Sequence, residues 1–185
     1  MTRPLSVVTL CGSLRAGSYN AAIQRALPEL APEGMSFSVL EGLGDIPLYD
    51  ADLQAKGFPA AVTAMGEAIR AADGIVIVTP EYNYSIPGVL KNGIDWLSRL
   101  PDTPFAGKPM AIQSASMSVL GGVRAQYHLR QVAVFLDALV LNKPEVMVAS
   151  AQQRVQDGKL TDEGTREVIR KQLAAFAGFI EKVAR

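Results

Sequence analysis

The sequence of 185 residues contains a single cysteine, Cys11, and a single histidine, His128. One cysteine excludes an internal disulfide, and no Cys/His spacing in the chain matches a structural zinc site. No apolar stretch approaches the roughly 18 uninterrupted residues that a transmembrane helix needs. The segment before the first strand-like run is too short, and the run itself too rich in β-branched residues, for a signal peptide. We therefore expect a cytoplasmic protein without a membrane span.

An excess of charge of either sign is also lacking. Lys and Arg together number 18, Asp and Glu together number 18, and the formal net charge is zero. Because no basic cluster stands out, nothing predicts electrostatic binding to nucleic acid. A near-neutral chain also has little repulsion between copies, which permits self-association. Hydrophobic residues make up 49% of the chain, which is enough to build a buried core.

Short apolar, β-branched runs alternate with amphipathic helical patterns along the whole chain. Each run is typical of a buried parallel strand. This order predicts one α/β domain over residues 1–185, with a five-stranded parallel sheet and helices on both faces. The predicted strands are 5–10, 35–40, 74–79, 109–114 and a fifth built from 139–141 and 146–148, interrupted near Pro144. The first predicted helix begins at Ser18 and ends before Pro32, and the others cover 59–72, 87–99, 121–137 and 163–183. The inward residues expected in the last helix are Val168, Leu173, Phe176 and Ile180.

Ligands of such open sheets bind at the carboxyl ends of the strands, where the strand order reverses. The loop 12–20 leaves the first strand and enters a helix, whose free N–H groups and dipole suit a phosphate. Ser13 and Ser18 add hydroxyl donors, Arg15 adds positive charge, and Asn20 adds an amide. An ordinary tight turn capped by Ser18 explains the same residues equally well.

Two nucleotide motifs are excluded at this loop. A Walker A sequence needs a lysine after its second glycine, and Gly17 is followed by Ser18 and Tyr19. A dinucleotide-type GxGxxG is missing, and Gly42-Leu43-Gly44 lies in the wrong place for one. A ligand with a single terminal phosphate, such as FMN, fits the loop better than ATP or a dinucleotide.

The loops after the third and fourth predicted strands have different compositions. Between Pro80 and Pro87 lie two tyrosines, a glutamate and an asparagine, and the aromatic rings suit a flat ligand. The loop 114–122 is rich in serine and glycine, which allows a ligand close to the backbone. A rigid surface loop and a flexible connector are the alternative interpretations of these two segments.

Three segments, GSLRAGSYN, TPEYNYSIPGVLKNGIDWLSRLP and GKPMAI followed by GGVRAQYHLRQ, resemble the NAD(P)H-dependent FMN reductase family, in its quinone and chromate reductase branch. The downstream segment FLDALVLNKPE is also similar to the family, so the resemblance covers nearly the whole chain. The resemblance implies a flavodoxin-like fold with strand order 2-1-3-4-5 and FMN as cofactor. It further implies NAD(P)H as co-substrate and quinones, chromate, free flavin or dyes as small-molecule acceptors.

The resemblance also implies a role for individual residues. Tyr84 and Ser118 match positions at the mouth of the site, and Ser118 stands where the branch usually has a glycine. Arg124, Tyr127 and Glu145 match residues that pair across an interface, which implies a homodimer or homotetramer. The residues that match cofactor-binding positions are Ser13, Leu14, Arg15, Ser18, Tyr19, Asn20, Pro80, Glu81, Tyr82, Asn83 and Ser116.

The flavin itself would perform the chemistry, so the sequence predicts no catalytic side chain and no metal ligand. His128 and Cys11 are expected to be structural or surface residues. Two other classes remain open at this stage. One is a flavodoxin-like electron carrier with little NAD(P)H turnover, although such carriers tend to be acidic and this chain is neutral. The other is a binding module that has kept the fold and lost the flavin.

Overall fold

The parallel sheet at the centre of the protein has the strand order 2-1-3-4-5, as the resemblance implied. A computed structural model describes residues 3–184 and gives every pairing in this sheet as parallel. The α/β class and the flavodoxin-like order are therefore confirmed. The strands of the sheet are β1 (Leu5–Cys11), β2 (Met35–Val39), β3 (Gly74–Thr79), β4 (Pro109–Ala115), β5 (Leu139–Val140) and β6 (Val146–Val148).

The fifth position in the sheet is shared by two short strands. β5 pairs with the beginning of β4 through Pro109 and Met110, and β6 pairs with its end, from Gln113 to Ala115. The segment between them contains Pro144, which has no N–H group to donate to a strand ladder. The interruption predicted near Pro144 is thus confirmed.

Helices cover both faces of the sheet, and the side chains of each strand alternate between the two faces. Ile75 and Ile77 of β3 belong to one buried cluster, whereas Val76 and Val78 belong to the other. The first cluster includes α3, α4 and α5, and the second includes α1 and α6. The helices are α1 (Tyr19–Leu30), α2 (Ala51–Gln54), α3 (Ala60–Ala71), α4 (Gly88–Leu97), α5 (Val123–Phe135) and α6 (Glu163–Val183).

Besides two 3₁₀ turns, at Leu43–Asp45 and Ala151–Gln153, two small elements lie in segments that the sequence left unassigned. The first is the four-residue helix α2. The second is an antiparallel hairpin of β7 (Val155–Gln156) and β8 (Lys159–Leu160). Its turn residues Asp157 and Gly158 both have positive φ, at 48° and 73°. An Asp-Gly pair is a strong hairpin signal, so this turn was recognisable from the sequence.

The buried face of α6 corrects one expectation. Val168 was expected to point inward with Leu173, Phe176 and Ile180, but 41% of its surface is exposed. Ile169, which is fully buried, takes the inward position instead. Spacings of four, three and four residues from Ile169 to Ile180 follow one helical stripe, and Val168 lies outside that stripe.

None of the helices within residues 3–184 combines the length and the apolar composition that a membrane crossing requires.

Candidate functional site

The carboxyl ends of β1, β3 and β4 meet at one edge of the sheet and enclose a cavity. Strand register places Cys11 beside Val78, and Thr79 beside Ser114, so the three strands end at nearly the same level. The cavity has a volume of about 370 Å³, which is within the usual range for a small-molecule site. The residues lining this strand-end cavity are Ser13, Arg15, Ser18, Tyr19, Asn20, Pro80, Glu81, Tyr82, Ala115, Ser116 and Met117.

All the residues predicted to bind the cofactor line the strand-end cavity, except Leu14 and Asn83. The Leu14 side chain is 61% exposed and lies close to Gly44, where an added Cβ would be 3.2 Å from it. Ala115 and Met117 also line the cavity, although the sequence did not predict them as site residues. Their position directly after a strand end was the only signal that could have found them.

The N-terminal end of α1 forms one end of the cavity. Ser18 has extended backbone and caps the helix, since its Oγ accepts from the N–H of Ala21 at 3.2 Å. The N–H groups of Tyr19 and Asn20 have no helical acceptor, because they belong to the first turn. The guanidinium carbon of Arg15 lies 5.2 Å from the centre of the Tyr19 ring. Free N–H groups, a positive helix end and a nearby arginine together suit a phosphate.

The side chain of Asn20 joins two elements of the fold. Only 3% of Asn20 is exposed, its Nδ2 donates to the carbonyl of Ala115 at 3.1 Å, and its Oδ1 accepts from the N–H of Ala115 at 2.8 Å. This pairing engages the amide oxygen and one of the two hydrogens on Nδ2. Asn20 therefore ties α1 to the end of β4, and its contact with a phosphate stays a prediction.

Directly after β1, Gly12 lets the chain pass close to the end of β3. An added Cβ at Gly12 would lie 2.9 Å from Oγ1 of Thr79, closer than real Cβ atoms approach, and in tight contact with Leu90 at 3.2 Å. The preceding residue, Cys11, is partly buried, and this burial raises the pKa of its thiol. A thiol that resists ionisation is a poor nucleophile, as expected for a structural cysteine.

The loop after β3, residues 80–87, is folded into a tight turn. The backbones of Tyr82 and Ser85 exchange two hydrogen bonds, at 2.9 and 3.0 Å. Asn83 and Tyr84 between them have φ values of 48° and 70°, in the left-handed region. The Tyr84 side chain is 65% exposed, and the guanidinium carbon of Arg124 lies 3.8 Å from the centre of its ring. Tyr84 itself does not line the cavity, and its place at the mouth stays a prediction.

Glu81 in the same loop directs its carboxylate to the beginning of α5. Oε2 accepts from the backbone N–H groups of Arg124 at 3.0 Å and Ala125 at 3.2 Å. Oε1 accepts from Nη1 of Arg124 at 3.2 Å. The carboxylate is thus occupied within the protein, although Glu81 still lines the strand-end cavity.

Hydroxyl groups stabilise the loop after β4. Oγ of Ser116 accepts from the N–H of Ser118 at 3.1 Å, and Oγ of Ser118 accepts from the N–H of Leu120 at 3.3 Å. The two hydroxyls also lie 3.1 Å apart. Ser118 is exposed but does not line the cavity, so its hydroxyl contributes to the loop's own structure.

The three residues predicted at an interface all make contacts within the chain. Arg124 pairs with Glu81, and the hydroxyl of Tyr127 lies 3.4 Å from Glu145, which also pairs with Lys143 at 3.0 Å. Tyr127 is nevertheless 52% exposed, so it remains available to another copy of the chain. Pairing between copies stays a prediction.

Within residues 3–184, no group of three or more His, Cys, Asp or Glu side chains is placed to hold a metal ion. The donor set of the strand-end cavity instead fits a mononucleotide. It provides backbone N–H groups and Arg15 at one end, for a phosphate. It also provides two loops, at Pro80–Tyr82 and Ala115–Met117, between which a flat ring system fits.

Fold and cavity together define a flavodoxin-like α/β protein with a mononucleotide site. The family model for NADPH-dependent FMN reductase matches residues 5–153. A quinone reductase of Escherichia coli K12 is 59% identical over 186 residues, which cover 99% of both chains. An NAD(P)H-dependent FMN reductase of Pseudomonas aeruginosa is 50% identical over 184 residues, again 99% of both chains.

Among solved structures, the flavoenzyme NAD(P)H:(acceptor) oxidoreductase FerB of Paracoccus denitrificans superimposes with a TM-score of 0.87. It is 33% identical, and the match covers 96% of this chain and 98% of that one. The protein belongs to the NADPH-dependent FMN reductase family. It is an oxidoreductase that depends on NAD(P)H and uses FMN, and the resemblance found in the sequence is confirmed.

Proposed function

We propose that this protein binds FMN in the strand-end cavity and transfers electrons from NAD(P)H to quinones. The observation that supports this most is the meeting, at one sheet edge, of a phosphate-binding helix end with two loops that can border a flat ring. The 59% identity to a quinone reductase supports the choice of acceptor. Chromate, free flavin and dyes are proposed as further acceptors, because an open cavity with exposed rims admits many small molecules.

The bound flavin would accept a hydride from the nicotinamide and pass the electrons to the acceptor. The task of the protein is to bind and orient the reacting rings. Ser13, Arg15 and Ser18 would hold the phosphate. The loop Pro80–Asn83 would lie along the ring, with Leu14, Tyr19, Asn20 and Ser116 completing the site, and Tyr84 and Ser118 would border its mouth.

No proton-transferring side chain is assigned. The one carboxylate that lines the cavity, Glu81, is occupied by α5, and the one thiol nearby, Cys11, has a raised pKa. We therefore propose that the protein contributes orientation and electrostatics to the reaction. We further propose that residues 1–185 form a single domain and that the protein acts in the cytoplasm, which its single cysteine supports.

An absorbance spectrum of the purified protein tests this proposal. We expect flavin bands, directly or after addition of FMN. They should bleach within seconds when NADPH or NADH is added without oxygen, and a quinone should restore them. Flavin bands that resist both nucleotides would favour an electron carrier instead. A protein that takes up no FMN would contradict the proposed function.

We also propose that the protein assembles as a homodimer or homotetramer. Support comes from the zero net charge and from apolar side chains exposed near the predicted interface residues. Val134 and Phe135 at the end of α5 are 79% and 78% exposed, and Tyr127 on the same helix is 52% exposed. Light scattering should give a mass of two or four times 19.7 kDa at micromolar concentration. A single monomer peak would contradict the assembly.

A further inference from the structure

The N-terminal end of α5 lacks a cap from its own sequence. Its N-cap residue is Gly122, which has no side chain and has a φ of 89°. The first turn, Val123 to Gln126, contains an arginine and no acidic residue, so nothing local offsets the positive end of the helix. The N–H groups at this end need an acceptor from another part of the chain.

Glu81 supplies that acceptor from 43 residues away. Its Oε2 accepts from the N–H groups of Arg124 and Ala125, at 3.0 and 3.2 Å, and its side chain is only 12% exposed. A carboxylate at this position both satisfies the free donors and interacts favourably with the helix dipole. One side chain therefore joins the loop 80–87 to the beginning of α5.

The second oxygen of Glu81 extends the connection to Tyr84. Oε1 accepts from Nη1 of Arg124 at 3.2 Å, and the same guanidinium lies over the Tyr84 ring at 3.8 Å. One turn further along α5, Nδ1 of His128 lies 2.9 Å from Oγ of Ser85. The loop is thus joined to α5 at its beginning, its tip and its end.

The start of α5 is in turn fixed to the end of β4. Oγ of Ser114 donates to the carbonyl of Gly121 at 2.6 Å, and Nε2 of Gln126 donates to Ser114 at 2.8 Å. An added Cβ at Gly122 would lie 2.8 Å from Ser114 and 3.9 Å from Glu81, so only glycine allows this close approach. The loop 115–122 therefore ends at the first turn of α5, whose N–H groups bind Glu81, and the position of this turn fixes the end of the loop.

We propose that Glu81 is a positioning residue that sets the separation of the loops 80–87 and 115–122, through its bonds to α5 rather than through its own contact with FMN. Through Arg124 it also holds Tyr84 in place at the mouth. This inference rests on the proposed function, since the two loops border the proposed FMN site. In this proposal the carboxylate of Glu81 and the guanidinium of Arg124 together position the loops within one chain.

A matched pair of variants, Glu81→Gln and Asp162→Asn, tests the proposal. Asp162 is also a carboxylate that caps a helix, since it accepts from the N–H of Thr165 at 2.8 Å and pairs with Arg154 at 2.8 Å. It lies at the start of α6 and does not line the strand-end cavity. Both changes replace a capping carboxylate by its amide, so both should lower Tm by a few degrees.

Only Glu81→Gln should alter the site. We expect its dissociation constant for FMN to rise about tenfold and its KM for NAD(P)H to rise more than its kcat falls. Hydrogen exchange in the protein without FMN should become faster in residues 80–87 and 121–126 together. The variant Arg124→Ala keeps the backbone N–H groups that Glu81 caps, and it should affect KM while changing FMN affinity less.

Two results would overturn the inference. In one, the Glu81→Gln protein keeps the wild-type FMN affinity and KM, while its Tm falls as much as that of Asp162→Asn. Glu81 would then only cap the helix. The other is unchanged hydrogen exchange in the loops combined with weaker FMN binding, which would indicate direct contact with FMN. Failure of the proposed function is a separate outcome, in which the wild-type protein binds no FMN.

Discussion

Replacement of Asn20 by aspartate is expected to lower the free energy of unfolding by about 3 kcal/mol, with a fall in Tm of about 10 °C. The side chain is 3% exposed and both of its polar atoms pair with Ala115. A carboxylate cannot donate to the Ala115 carbonyl, 3.1 Å from the present Nδ2, and it would place a charge beside a buried oxygen. Urea unfolding followed by the fluorescence of Trp96, the single and fully buried tryptophan, measures the change.

Asn142→Asp provides the control for this substitution. Oδ1 of Asn142 accepts from Nη1 of Arg130 at 3.2 Å in an exposed position, so a carboxylate there keeps the hydrogen bond. Its effect should stay within about 0.5 kcal/mol. Equal stability of the Asn20→Asp and Asn142→Asp proteins would show that the pairing between Asn20 and Ala115 contributes little.

The second large effect is expected at Arg15. Replacement by alanine should raise the dissociation constant for FMN about 10- to 100-fold, because hydrogen bonds to charged groups contribute roughly 1.5–3 kcal/mol. Arg15 is exposed at the rim of the strand-end cavity, so the protein itself should keep its stability. Fluorescence titration of FMN measures the change, and added salt should weaken wild-type binding more than it weakens binding by the variant.

Arg25→Ala is the matched change, at an arginine of α1, the helix that follows the loop of Arg15. Nη2 of Arg25 donates to the carbonyl of Gly158 at 2.9 Å, at the turn of the β7–β8 hairpin, and Arg25 does not line the strand-end cavity. FMN affinity should stay near the wild-type value. If both variants lose affinity equally, the effect comes from the total positive charge of this part of the protein, and the phosphate does not bind Arg15 directly.

Much of the fold follows from the sequence, because local patterns determine it. In the run GIVIVT at 74–79, the side chains that point to either face of the strand are apolar. Only a strand covered on both faces buries all of them. Alternation of such runs with helices leads to parallel crossovers, and therefore places the three loops at one edge. The motifs within those loops were sufficient to identify the family.

Local sequence patterns predicted less where two arrangements of the same segment differ little in free energy or where the elements are very short. The inward face of α6 was misplaced at Val168, since an apolar side chain near a helix stripe costs little when it is exposed. The β7–β8 hairpin was missed because its strands have only two residues each, too few for a period to be visible. Its Asp157-Gly158 turn was the better signal.

Within the site, the sequence by itself determined most of the side chains that line the cavity, and the tertiary structure decided which groups each of them contacts there. Asn20 and Ala115 are 95 residues apart, and Glu81 and Arg124 are 43 apart. Serine, asparagine and glutamate in a loop have several possible partners of similar energy, including a ligand phosphate. Burial removes water as an alternative partner, so a buried polar group pairs with whatever backbone group the packed chain brings within about 3 Å. The choice of partner depends on how α1, α5 and β4 pack together, and the sequence of any one segment does not specify that packing.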